Sequence, residues 1–63
     1  MNTYYEITFR MKNEDTQIVY IDIADLKITI DEILKAEFYT VIQEDFAVSI
    51  NMKEVSTFIL TKR

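Results

Sequence analysis

The side chains able to do chemistry in this 63-residue chain are carboxylates, lysines and tyrosines, because histidine, cysteine, tryptophan, glycine and proline are all absent. Asp22, Asp25, Asp31 and Glu32 lie close together in sequence. Clustered oxygen donors of this kind are what a hard cation such as Mg²⁺ or Ca²⁺ takes. Carboxylates beside a helix start are also an ordinary solvated surface that complements the helix dipole. The second account is preferred, so neither a metal site nor a cofactor is expected. Without cysteine or histidine there is no thiolate nucleophile and no imidazole to activate a serine or threonine. A phosphate-cradling loop needs glycine so that successive N–H groups can approach the anion. Disulfides and thiolate or imidazole zinc sites are excluded on the same ground. With no catalytic residue to name, the chain reads as non-enzymatic.

Aromatic side chains are the next candidates. Tyr4, Phe9, Tyr20 and Tyr39 with Arg10 and Lys12 could stack the bases of a single-stranded nucleic acid and hold its backbone. Phe9, however, falls on the opposite strand face from Arg10 and Lys12, and Glu6 and Glu14 would repel phosphate. A net charge of −4 also disfavours nucleic acid as a partner. Acidic mimicry of DNA is a related alternative, with Asp22, Asp25, Asp31, Glu32 and Glu37 as the row, although Lys27 and Lys35 interrupt it. The charge is unevenly spread: residues 1–45 are acidic, whereas residues 46–63 carry Lys53, Lys62 and Arg63 against Glu54 alone.

The length allows one domain, residues 1–63. A core of that size supplies roughly 3 to 5 kcal/mol, and small domains usually add a staple. None is available, yet 49% of the residues are apolar, among them four tyrosines and four phenylalanines. A homo-oligomer, most simply a dimer, is expected to bury the surplus between subunits. Residues 1–6 show no basic stretch followed by an apolar one, and no apolar run is long enough to span a membrane. A cytoplasmic protein is therefore expected.

The elements that would position these residues follow from periodicity. Tyr5, Ile7, Phe9 and Met11 alternate with Glu6, Thr8, Arg10 and Lys12, the mark of a half-buried strand. Asn13-Glu14-Asp15 then closes a turn, since Asn and Asp side chains bond local backbone and tolerate positive φ. Gln17 to Ile23 returns as the second strand of a hairpin, with Val19, Ile21 and Ile23 on one face. Thr29-Ile30-Asp31-Glu32 fits a capping box and Ile28 with Ile33 a hydrophobic staple, predicting a helix over 30–37. Helical periodicity continues to about Gln43, but Phe38-Tyr39-Thr40-Val41-Ile42 is an aromatic and β-branched run, so a strand is expected over 38–43. Gln43-Glu44-Asp45 turns into a strand over 46–50, Asn51 caps a one-turn connector through Glu54, and Val55 to Thr61 closes the chain. In that last strand Val55, Thr57 and Ile59 are expected opposite Ser56, Phe58 and Leu60.

The ending, a strand followed by Ile50-Asn51-Met52-Lys53-Glu54-Val55 and another strand, resembles the close of SH3-like small barrels. That resemblance implies a curled sheet and transfers no functional residue. The expected fold is α+β in the order ββαβββ, a small antiparallel curled sheet or partly open SH3-like barrel with one short helix. The expected function is binding of a protein partner or small ligand by a homo-oligomer. Short, isoleucine-rich chains of this kind are common among phage and mobile-element products that inhibit or adapt host machinery. Tyr4, Tyr5, Tyr20, Tyr39 and Phe58 are the candidate interface or ligand residues, because aromatics dominate interfaces.

Overall fold

A computed structural model describes residues 3–63. Strand β1 (Thr3–Met11) and strand β2 (Thr16–Ile23) form an antiparallel hairpin in which Ile7 faces Val19 and Tyr5 faces Ile21. Helix α1 (Leu26–Lys35) follows, then a second hairpin of β3 (Phe38–Ile42) and β4 (Ala47–Asn51). A single 3₁₀ turn, Met52–Glu54, leads into β5 (Val55–Lys62), which returns to pair antiparallel with β1. The domain is thus α+β with the expected element order and with strands close to the expected bounds. The expected single curled sheet is corrected: the strands divide into a three-stranded sheet, β2-β1-β5, and the separate β3-β4 hairpin, and they do not close into a barrel. The hairpin's five-residue strands bond to each other and meet the larger sheet through side chains, so the two ladders never join.

The first turn works as its residues suggest, with one exception. The Asn13 side-chain oxygen accepts from the Asp15 N–H at 3.1 Å, and the Met11 N–H donates to the Asp15 carbonyl at 2.8 Å. Positive φ falls on Glu14, at 74°, rather than on Asn13 or Asp15. Once Asn13 has committed its side chain to Asp15, the middle residue must take the left-handed conformation. Glutamate does so against the steric pressure of its Cβ.

The helix start differs from the capping-box expectation. Asp25 is the N-cap, its carboxylate accepting from the Ile28 N–H at 3.2 Å, and Thr29 lies one turn inside the helix. Aspartate is at least as good a cap as threonine, and Asp25 comes as soon as β2 has ended, so the chain nucleates a longer helix there. The C-terminus is also earlier than expected: Lys35 is the last helical residue and Ala36 is already extended, as entry into β3 requires. The β3 run behaves as a strand throughout, so β-branching outweighs the helical periodicity.

Strand β5 carries a bulge. Arg10 pairs with Thr57 but Met11 with Val55, leaving Ser56 as the extra residue, its hydroxyl donating to the Arg10 carbonyl at 3.1 Å. The bulge moves Val55 to the core side with Phe58 and Leu60, correcting the simple alternation expected for this strand. The core joins both sheets and the helix: Ile7 and Phe9 from β1, Val19 from β2, Ile33 from α1, Val41 from β3 and Ile50 from β4. Ile7, Phe9 and Ile33 are completely buried. Two backbone bonds tie the connector to the rest, Lys12 N–H to the Glu54 carbonyl at 2.7 Å and Met52 N–H to the Glu37 carbonyl at 3.0 Å. Asn51 caps the 3₁₀ turn as expected, accepting from the Lys53 N–H.

Two substitutions test these local devices. Glu14→Asn keeps the turn and relieves the backbone, and stability is expected to rise by about 0.5–1 kcal/mol. Asp25→Ala removes the helix cap and is expected to cost about 1 kcal/mol. Urea denaturation followed by circular dichroism reads both, and a loss of stability in Glu14→Asn would show the turn to be built otherwise.

Candidate binding surface

On β1 the residues alternating with the core point away from it, and the register places their neighbours. Thr8 lies between Ile18 of β2 and Ile59 of β5, Glu6 between Tyr20 and Thr61, and Tyr4 beside Asp22. Tyr4 and Tyr20 stack diagonally, ring centroids 5.9 Å apart and planes 8° from parallel. At the centre of this outer face the Glu6 carboxylate accepts from the Arg63 guanidinium. The Glu6 side chain is 15% exposed. Arg63 holds the Glu6 carboxyl below the usual carboxylate range against the opposing effect of burial, and the nearby Tyr20 and Thr8 hydroxyls act in the same direction as Arg63. The pair is reciprocal, since Glu6 in turn raises Arg63 above the usual guanidinium value. This face is consequently aromatic and aliphatic with its central charges cancelled.

Of the five aromatic candidates, Tyr4 and Tyr20 come together on this outer face and the other three do not join them. Tyr5 is half-buried on the inner side of β1. Tyr39 is half-buried with its ring 6.1 Å from that of Phe9, and its phenol is pushed up by burial and by the Glu32 carboxylate. Phe58 is half-buried with its ring 6.0 Å from Phe9 on another side. Phe9 itself is buried, so of the aromatics considered for base stacking only Tyr4 and Tyr20 share a face with Arg10.

Sequence reasoning missed a second exposed set, made of residues that look like core. Ile42 is 82% exposed, Leu34 67% and Phe46 60%, with Ile28 and Phe38 also open to solvent. Phe38, Thr40 and Ile42 form the outer side of β3, where the Thr40 and Ser49 hydroxyls are hydrogen-bonded at 3.1 Å. The tip of this hairpin is tied to the larger sheet, the Gln43 side-chain amide donating to the Tyr20 carbonyl at 3.0 Å. Apolar residues on both sides of a five-residue strand were the available signal, because one side of a hairpin packed on a single core must stay outside.

The acidic residues do not assemble. Among the described residues, no group of three or more carboxylates is placed to hold a metal ion. Asp25 caps the helix, Asp31 pairs with Lys35 at 2.8 Å and Glu37 with Lys53 at 3.6 Å. Those pairings interrupt the row considered for mimicry of DNA. A cleft of about 260 Å³ is lined by Arg10, Met11, Glu14, Thr16 and Ser56. It is polar and smaller than the roughly 300–1,000 Å³ of enclosed ligand sites. Comparison of the chain with protein-family models, with curated proteins and with solved structures finds no match.

The Glu6–Arg63 pair carries a pH signature. Because the folded value of Glu6 lies below its ordinary 4.5, its contribution is present above that pH and is lost as pH falls through the folded value. Urea midpoints measured from about pH 7 down to pH 3 are expected to fall less steeply in Glu6→Gln than in the native chain. Identical slopes would show that the pair does not form in solution.

Proposed function

We propose that the chain is a non-enzymatic, homo-oligomeric binding module that engages a protein partner through exposed aliphatic and aromatic side chains. The observation that carries this reading is the apolar set on the helix and second hairpin, with Ile42, Leu34 and Phe46 standing mostly in solvent. Single exposed hydrophobes are ordinary, but several of them clustered on a domain this small are a cost unless something covers them. The accessible surface supports the same reading. It is 4734 Å², whereas a monomer of 7.5 kDa is expected to expose about 4,250 Å².

A protein partner is favoured over a small ligand because the described cleft is polar and small, while the exposed apolar side chains lie on the helix and the second hairpin, outside it. It is favoured over nucleic acid because Arg63 is engaged by Glu6 and the net charge is −4. The ending's resemblance to SH3-like barrels remains local and contributes no binding residue. No helix of the described residues is long and apolar enough to cross a membrane.

The test is affinity capture from extracts of the native host, comparing the native chain with the double variant Ile42→Glu, Phe46→Glu. Both side chains are exposed, so circular dichroism is expected to be unchanged. A specific protein retained by the native chain should fall by at least about tenfold with the variant, as loss of apolar anchors predicts. Equal retention by the two would overturn the assignment of this surface.

A further inference from the structure

Strand β5 is an eight-residue edge of the larger sheet, and nothing in the fold pairs with its outer side among the described residues. The Arg63 N–H donates to the Tyr4 carbonyl at 2.9 Å, which fixes the phase of the ladder. Odd-numbered residues of β5 therefore bond to β1, and the N–H and C=O groups of Phe58, Leu60 and Lys62 turn to the open edge. The opposite edge, β2, is blocked at Tyr20 by the Gln43 side chain. Natural sheets protect long edges with proline, inward charges or covering loops. From Ser56 to Thr61, β5 has neither proline nor charge, and its one bulge lies at the start.

We infer that β5 pairs antiparallel with β5 of a second copy across a two-fold axis at Ile59, joining two three-stranded sheets into one of six strands. The inference rests on the homo-oligomeric reading above and names the surface that does the work. The register is selected by the bulge and the apolar rows. Centring on Ile59 pairs residues 57–61 with their own copies and brings the bulged Ser56 only to the end of the ladder, with Val55 outside it. It sets Phe58 opposite Leu60 on the core side, and Ile59 opposite Ile59 and Thr57 opposite Thr61 on the outer side. Each is a favourable cross-strand pair, and the first continues the apolar core between subunits. Lys62 of one copy then meets Ser56 of the other, beside which lie both acidic and basic groups: Glu14 and Arg10 share a cleft with Ser56, and Glu54 lies two residues before it. A parallel alignment would instead set Lys62 against Lys62. The open backbone groups and the apolar rows thus favour one antiparallel arrangement, which also keeps the two Lys62 side chains apart.

The experiment uses the full chain. Sedimentation equilibrium of the native protein at high micromolar concentration is expected to give twice 7.5 kDa. Ile59→Lys places two ammonium groups face to face at the axis and should weaken dimerisation by roughly a hundredfold while leaving the circular dichroism unchanged. Because the native chain has no cysteine, Ile59→Cys gives a second readout. A non-hydrogen-bonded antiparallel pair has Cα atoms about 4.5 Å apart, within disulfide range, so mild oxidation should give a covalent dimer. Ile18→Cys, also exposed but on β2, should not cross-link at a comparable rate. A native dimer that survives Ile59→Lys, or that cross-links equally through Ile18→Cys, would overturn the β5 pairing and leave the homo-oligomer standing. A native monomer at that concentration would overturn both.

Discussion

Strand β1 is the member on which the remaining elements depend, because a chain without cysteine or histidine has only packing to hold it. It is hydrogen-bonded along both sides, to β2 and to β5, and it supplies Ile7 and Phe9, two of the three completely buried side chains. The ring of Phe9 meets Tyr39 from one hairpin and Phe58 from the closing strand. Helix α1 and the β3-β4 hairpin add Ile33, Val41 and Ile50 to that centre. Each buried side chain of this size contributes about 1.5–3 kcal/mol, comparable with the roughly 3–5 kcal/mol that a core of this size supplies in all. No single contact is redundant in such a molecule.

The same scarcity shapes the surface. An interior built around six buried side chains takes in Ile21, Phe58 and Leu60 at its margin but has no space for all the other isoleucines, leucines and phenylalanines, and the helix and hairpin leave several of theirs in water. Several polar groups, by contrast, are engaged locally. Asp25 closes a helix, Asn13 and Asn51 close turns, Glu6 holds Arg63, and Lys35 and Lys53 sit on neighbouring carboxylates. Exposed apolar side chains and the free backbone of a sheet edge are the features on which the proposed binding role rests.

Local devices were legible wherever the physics is local. Alternation in Tyr5 to Met11 and in Val19 to Ile23, the β-branched run from Phe38, and the Asn51 cap all correspond to observed elements. The capping box at Thr29 is a four-residue pattern, and in the fold Asp25 caps the helix one turn earlier. The candidate binding surface was less legible. Tyr39 and Phe58 were chosen for their size, and in the fold both pack against Phe9, whereas Ile42 and Leu34 match a core pattern and lie outside.

Composition alone determined that no thiolate, imidazole or disulfide chemistry is open to the chain, alternation and β-branched runs determined most of its strands, and a helix-start signature the existence of its helix. Only the tertiary structure decided that the strands divide into two sheets, that Ser56 bulges and returns Val55 to the core, and which apolar faces remain uncovered. Those outcomes depend on contacts between residues far apart in sequence. An isoleucine carries the same side chain whether a neighbouring strand covers it or water does, so its role is set by what packs against it.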